Sequence, residues 1–384
     1  MSTKIRLGMI GGSLDAFIGS VHRMAAALDG TIELVCGAFS SNASRSIETG
    51  KALQLSEDRI YASFEEMIMK EAQLPADRRM QFVSIVTPNH LHAQPAVLAL
   101  QHGFHVLCEK PLAFSFAEAE QLGTQVKHTG LLFGVTHTYT GYPMVKEAKA
   151  IVASGKLGVI RKIIVEYPQG WLSDPIESGG QKQASWRTDP AQAGISCCVG
   201  DIGTHAENLA EYITGLKIVE LSADVSSVVA GRQLDDDANI LLRFNNGAKG
   251  VLIASQIANG EENELKIRIY GEHGGLEWLQ SEPNTLTVKQ NDQPKQLRRA
   301  GANHSYLSEH ARLHCRIPAG HPEGYIEAMA NLYRNFAASI HAFENKTAPN
   351  PLLDYPSIED GIRGMKFIET VIASGKENAI WKQL

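Results

Sequence analysis

The chain has 384 residues, with 36 Lys and Arg against 42 Asp and Glu, for a formal net charge of −6. At about 150 residues per domain that makes two domains, and 43% hydrophobic with 20% charged residues excludes a disordered, collagenous or disulfide-scaffold chain. The mild acidity gives no electrostatic reason to expect nucleic acid or an anionic membrane as partner, so the expected ligand is a small molecule.

A β-branched run at residues 5–10 follows the start with no leader-type segment, and no run of about 18 apolar residues suggests a bilayer span. Further strands are expected at 32–39, 82–87, 105–108 and 132–136, alternating with helix-period stretches at 21–28, 64–72, 91–102 and 116–128. Gly30, Gly103 and Gly130 stand where helix C-caps are needed. That rhythm is the signature of a doubly wound parallel sheet, an α/β domain over residues 1–140.

Residues 141–384 read differently, as an α+β domain with a large, mainly antiparallel open sheet. Asn245-Asn246-Gly247 joins runs at 240–244 and 251–257 as a hairpin, and residues 271–275 join 265–270 to 276–279 in the same way. Helices are expected at 203–214, 325–342 and 358–374, the last of them packing back on the first domain. Residues 169–194 and 280–324 read as long polar loops, which are more often functional than idle.

After the first strand comes Gly11-Gly12-Ser13-Leu14-Asp15-Ala16-Phe17-Ile18-Gly19, then a helix. Backbone N–H groups at such a turn are suited to a pyrophosphate. The pattern departs from G-x-G-x-x-G, since Ser13 takes the middle glycine's place and four residues stand where one is usual. Gly11, Gly12, Ser13, Phe17 and Ile18 are the candidate cofactor contacts. Ser40 lies 21 residues past Gly19, where an Asp or Glu would bind the ribose of NAD. Ser40, Ser41 and Arg45 leave room and charge for a 2′-phosphate, which tilts the choice between NAD and NADP toward NADP. The plainer alternative is that residues 40–42 cap the next helix.

Thr87-Pro88-Asn89-His90-Leu91-His92 and Cys108-Glu109-Lys110-Pro111-Leu112 stand at the carboxyl ends of their strands, the edge where ligands lie in open α/β sheets. Thr87, Pro88, Asn89, His92, Glu109, Lys110 and Pro111 join the candidate cofactor contacts, and Lys110–Pro111 is a candidate cis peptide. The plain readings are a surface histidine for His92 and a solvated strand end for Glu109 and Lys110.

These motifs, with Ser154-Gly155-Lys156-Leu157-Gly158 and Gly200-Asp201-Ile202-Gly203-Thr204-His205, resemble in order those of the Gfo/Idh/MocA oxidoreductases, and the likeness covers nearly the whole chain. It implies an NAD(P)-binding Rossmann domain, a second domain whose sheet makes a homodimer or homotetramer, and oxidation or reduction of a sugar, polyol or glycoside. By motif, Lys110 resembles the family's active-site lysine, and Asp201 and His205 its Asp-x-x-x-His pair. In those roles His205, oriented by Asp201, takes the hydroxyl proton and Lys110 donates to or relays from the substrate oxygen, the two converging over the reactive carbon. A competing local reading makes Thr204 an N-cap and Glu207 its capping-box partner.

Trp171, Trp186 and Arg187 in the first polar loop offer the aromatic faces and fixed donors that sugars need, with core packing as the alternative for the two indoles. Relatives often carry Asn then Arg after the strand at 132–136. Here Thr138-Tyr139-Thr140 stands there, leaving Tyr139 as the candidate substrate contact. The five cysteines, without a Cys-x-x-Cys pair, are read as free thiols of a reducing compartment, the cytoplasm. No metal is expected, because the adjacent Cys197 and Cys198 cannot easily both face one tetrahedral ion. Two rival functions are redox-assisted glycoside cleavage with cofactor recycling, and a dinucleotide-sensing regulator without turnover.

Overall fold

The run Ile5–Gly11 forms strand β1 in a computed structural model of the chain, which describes residues 4–384; residues 1–3 lie outside the described residues. Then follow α1 (Phe17–Leu28), β2 (Ile32–Ala38), α2 (Ala43–Ala52), α3 (Phe64–Gln73), β3 (Phe82–Val86), α4 (Ala93–Gln101), β4 (His105–Cys108), α5 (Phe116–Thr129) and β5 (Phe133–Val135). The five strands form one sheet in the order β2-β1-β3-β4-β5, every pair parallel. This is the expected Rossmann arrangement. The order reverses between β1 and β3, so the ligand crevice of such a sheet falls at their carboxyl ends.

The chain divides into two compact units, Met1–Gly141 with Tyr325–Ile362, and Tyr142–Gly324 with Arg363–Leu384. In the first, the helix Tyr325–Glu344 lays Met329, Tyr333, Phe336 and Ile340 against Ile5, Leu7, Phe82 and Leu107, all at most 1% exposed. The glycines expected at helix ends all carry positive φ, 66° at Gly30, 83° at Gly103 and 66° at Gly130, which a side chain adopts only with strain.

The second unit holds β6 (Ile160–Pro168), β7 (Ile218–Ser226), β8 (Asp237–Phe244), β9 (Lys249–Ser255), β10 (Lys266–Gly271), β11 (Gly274–Leu279), β12 (Thr285–Gln290), β13 (Gln296–Arg299) and β14 (Lys382–Gln383). They make a nine-stranded sheet, β13-β12-β11-β10-β6-β9-β8-β7-β14. Among the described residues every pair is antiparallel except β6 with β9. Both hairpins form where expected, with Gly247 at φ 87°.

Residues 280–324 were expected as loop but contain β12 and β13. The second of these, Gln-Leu-Arg-Arg, is mostly exposed at the sheet edge, where charge blocks further pairing and erases the apolar signal of a strand. Residues 169–194 contain three helical turns, Ile176–Gly179, Lys182–Arg187 and Pro190–Ala193, each too short to show a period. They close over a small core of Leu172, Ala184, Ala193, Cys197 and Leu234.

Candidate active site

The glycine loop is built from backbone packed on backbone. Gly11 and Gly12 have φ of 81° and 75°, and a Cβ on Gly19 would lie 2.3 Å from the Cα of Gly12. Arg23 donates from Nη1 to the Gly12 carbonyl at 2.5 Å, steadying the turn. Helix α1 starts at Phe17 behind Ala16, which offers no side-chain cap, so the helix start is left to an external acceptor. Ser13 is buried beside the turn and Phe17 is exposed. A bare helix start, glycines without side chains and a sheet that reverses its order here together fit the pyrophosphate of a dinucleotide.

At the end of β2, Asn42 Oδ1 accepts the backbone N–H of Arg45 at 3.1 Å, and Ser40 Oγ accepts that of Asn42 at 3.2 Å. The helix-capping alternative for residues 40–42 therefore holds for Asn42, and Ser41 is exposed. Arg45, on which the tilt toward NADP rested, faces a carboxylate, Asp15 of the glycine loop, Nη1 to Oδ2 at 3.1 Å.

The ends of β3 and β4 are tied together from beneath. His92 is wholly buried, its Nδ1 2.9 Å from the Pro111 carbonyl and its Nε2 2.8 Å from that of Thr87. The surface-histidine alternative fails, because His92 holds the two turns that carry Thr87, Pro88, Asn89, Lys110 and Pro111. Burial pushes its pKa down. Thr87 Oγ1 donates to the Leu91 carbonyl at 3.0 Å, Asn89 is buried, and the Lys110–Pro111 peptide is cis.

Glu109, read from sequence as a cofactor contact or a solvated strand end, is buried. Its Oε1 lies 2.9 Å from His22 Nε2 and also accepts the Thr136 hydroxyl, while Oε2 accepts the backbone N–H of Lys110 at 3.2 Å. Burial alone would raise this carboxyl, but the contact with His22, the charge of Lys110 and the Thr136 hydroxyl outweigh it and hold the pKa near 2. Behind His22, Nδ1 meets the Tyr333 hydroxyl at 2.7 Å, which meets the Ser84 hydroxyl at 2.7 Å. The contacts thus run unbroken from Ser84 through Tyr333 and His22 to Glu109. His137, also buried, is pushed down to about 3 by burial and by the charge of Lys110. The charge of Lys110 thus acts on both a carboxylate held as an anion and an imidazole held uncharged. Tyr139 is buried, its ring edge-on to Tyr325 at 6.1 Å.

In the second unit the structure gathers Trp171, Trp186, Arg187 and Asp201. The Arg187 guanidinium lies 4.2 Å over the Trp186 ring and 5.9 Å from that of Trp171, and its Nε donates to Asp201 Oδ2 at 3.1 Å. Gln256 Nε2 donates to the same oxygen at 3.0 Å. His205 is buried, its ring 6.4 Å from that of Tyr167, whose hydroxyl donates to Asn263 Oδ1 at 2.7 Å.

The capping-box reading of Thr204 and Glu207 is overturned. A π-helical turn, Val199–Gly203, runs without a break into helix Thr204–Thr214, and Thr204 Oγ1 is buried with no hydrogen-bond partner. Asp235 does the capping, accepting the backbone N–H of Cys197 at 2.9 Å and of Val199 at 2.7 Å. The π turn carries Asp201, and such turns recur at functional sites.

All five cysteines are free and buried. Burial, with Asp235 nearby, pushes Cys197 and Cys198 above the usual thiol range. His22, Thr136, Tyr333 and Gln256 were not singled out from sequence. His22 alone left a trace there, a polar residue inside the apolar stretch 21–28.

Residues 5–137 match the model of the oxidoreductase family with an NAD-binding Rossmann fold, GFO_IDH_MocA, and residues 145–277 that of the GFO/IDH/MocA C-terminal domain. The chain is 34% identical over 386 residues to the uncharacterised oxidoreductase YfiI of Bacillus subtilis (strain 168), covering 99% of this chain and 97% of that one. An inositol dehydrogenase homolog from Azotobacter vinelandii, complexed with NAD+, superposes with a TM-score of 0.94 at 36% identity, covering 100% and 98% of the two chains. The same homolog with NADH and myo-inositol gives 0.92 at 35%, with the same coverage. Levoglucosan dehydrogenase of Pseudarthrobacter phenanthrenivorans is 32% identical over 222 residues, 52% of this chain and 55% of that one. The two units thus carry a dinucleotide-binding oxidoreductase architecture, and the chain belongs to the Gfo/Idh/MocA oxidoreductase family. The structures described as complexes with NAD+ and NADH lend no support to an NADP preference. No described helix is long and apolar enough to cross a membrane.

Proposed function

We propose that this protein is a nicotinamide-dependent dehydrogenase that oxidises a secondary alcohol of a polyol or sugar, or reduces the matching ketone, with Lys110 and His205 serving the same substrate oxygen. The observation that carries the reading is Lys110 itself, which follows β4 at the carboxyl edge of a dinucleotide-type sheet, its backbone N–H held by the buried Glu109 carboxylate and its peptide to Pro111 cis. Gly11, Gly12, Ser13, Phe17 and Ile18 would hold the pyrophosphate, and Thr87, Pro88, Asn89 and Pro111 the wall beside it. Bound there, the nicotinamide supplies the acceptor for the hydride leaving carbon. The protein's own residues handle the proton. His205 takes it from the substrate hydroxyl as the C–O bond gains double-bond character, and Lys110 donates a hydrogen bond to the same oxygen, holding the charge that develops there.

Asp201 is a positioning residue. Its carboxylate, fixed by Arg187 and Gln256, would orient the donors around the substrate, and Trp186, one face covered by Arg187, would turn its other face to the apolar C–H side of a ring. Tyr139, buried with its ring edge-on to Tyr325, would add a substrate contact from the first unit. Relatives described with myo-inositol and as levoglucosan dehydrogenase make inositols, pyranoses and anhydrosugars the first substrates to try. Assembly into a homodimer or homotetramer through the nine-stranded sheet belongs to the same reading. The experiment is a screen of inositols, sugars and glycosides that follows the absorbance of reduced nicotinamide. Stoichiometric cofactor reduction with at least one polyol or sugar is expected, and the absence of turnover with every class would contradict the reading.

A further inference from the structure

The ribose-selecting carboxylate that dinucleotide sheets usually carry at the end of their second strand is missing from this chain, where Ser40, Ser41 and Asn42 stand. A carboxylate is present nevertheless, delivered from the other side. Asp15 belongs to the extra residues of the glycine loop. Its Oδ1 accepts the Ser13 hydroxyl at 2.5 Å, and its Oδ2 lies 3.1 Å from Arg45 Nη1 in the first turn of α2. Both partners lie in the first unit. The side chains are about half exposed, 47% for Asp15 and 55% for Arg45, so a ligand can reach them. The pair bridges the two segments, after β1 and after β2, that flank the adenosine ribose in this class of sheet.

We propose that Asp15 is the residue that selects NAD(H) over NADP(H), an inference that rests on the dinucleotide reading of the first unit. Two effects act together. A 2′-phosphate would bring negative charge against the Asp15 carboxylate, and Arg45, the cation that would attract it, is already engaged by that carboxylate. A 2′-hydroxyl meets neither penalty and gains an acceptor. The extra residues thus have a purpose, since they carry an acid to a place that the end of β2 leaves without one.

The test is the dissociation constants of NADH and NADPH, measured by fluorescence titration on the full chain at fixed salt. Wild type is expected to bind NADH at least about tenfold tighter than NADPH, the scale of one like-charge contact. Asp15→Asn keeps the size and releases Arg45. It should tighten NADPH about tenfold or more while loosening NADH a few-fold, and adding Arg45→Ala should abolish the NADPH gain. An Asp15→Asn protein with an unchanged NADH to NADPH ratio, or a wild type that prefers NADPH, overturns the inference alone. Failure of wild type to bind either dinucleotide overturns the dinucleotide reading, and this inference with it.

Discussion

His22 Nε2 lies 2.9 Å from Glu109 Oε1, and both side chains are buried in the first unit. Removing the imidazole takes one donor from a buried carboxylate that keeps the Thr136 hydroxyl and the Lys110 N–H, so His22→Leu is expected to cost about 1–3 kcal/mol of unfolding free energy. Urea unfolding at neutral pH checks this.

The same pair sets a pH dependence. Folding holds Glu109 near 2, below its ordinary 4.5, so protonation favours the unfolded chain. The stabilisation is complete above about pH 4.5 and is lost as pH falls toward 2. The stability gap between wild type and Glu109→Gln should therefore shrink between those values. A gap that stays constant from pH 6 to pH 3 would contradict the assignment.

Gly12 and Gly19 are expected to be intolerant of alanine for different reasons. Gly12 sits at φ 75°, and a Cβ on Gly19 would lie 2.3 Å from the Gly12 Cα. A left-handed alanine costs about 1–2 kcal/mol, so Gly12→Ala should weaken NADH binding roughly tenfold, and Gly19→Ala more. Gly30→Ala is the control. It shares the positive φ, with nothing within 4 Å of its added Cβ, and should lower stability while leaving NADH affinity intact.

Arg187 stacks on Trp186 and pairs with Asp201, a geometry that needs a flat guanidinium. Arg187→Lys, although it keeps the charge, is expected to raise KM about tenfold with a smaller change in kcat, in line with about 1–2 kcal/mol for a partly desolvated stack. Steady-state kinetics on the substrate found by the screen checks it. An unaltered KM would remove Arg187 from the binding site.

The parallel sheet was legible because β1 to β4 are short β-branched or apolar runs bounded by turns, and the β8–β9 hairpin because Asn246-Gly247 tolerates the positive φ that a tight turn requires. Strand β13 was not, since an edge strand of Gln-Leu-Arg-Arg carries no inward face to read. The helical stretch begins at Val199 rather than at Thr204 for a long-range reason. Asp235 accepts the Val199 N–H, and no local pattern discloses an acceptor 36 residues away. Distance also hid the group behind Lys110, because His22 is 87 residues from Glu109 and 311 from Tyr333. Local motifs show where a charged group stands. The groups that fix its protonation come from elsewhere in the chain.

The most direct measurement is a double-mutant cycle on kcat with Lys110→Ala and His205→Ala. Each single substitution is expected to reduce turnover by about 10² to 10⁴, with NADH affinity little changed. Because both groups act on one oxygen, the double variant should fall at most about tenfold below the worse single. Near-normal turnover in either single variant, or losses that simply multiply, would contradict a shared role.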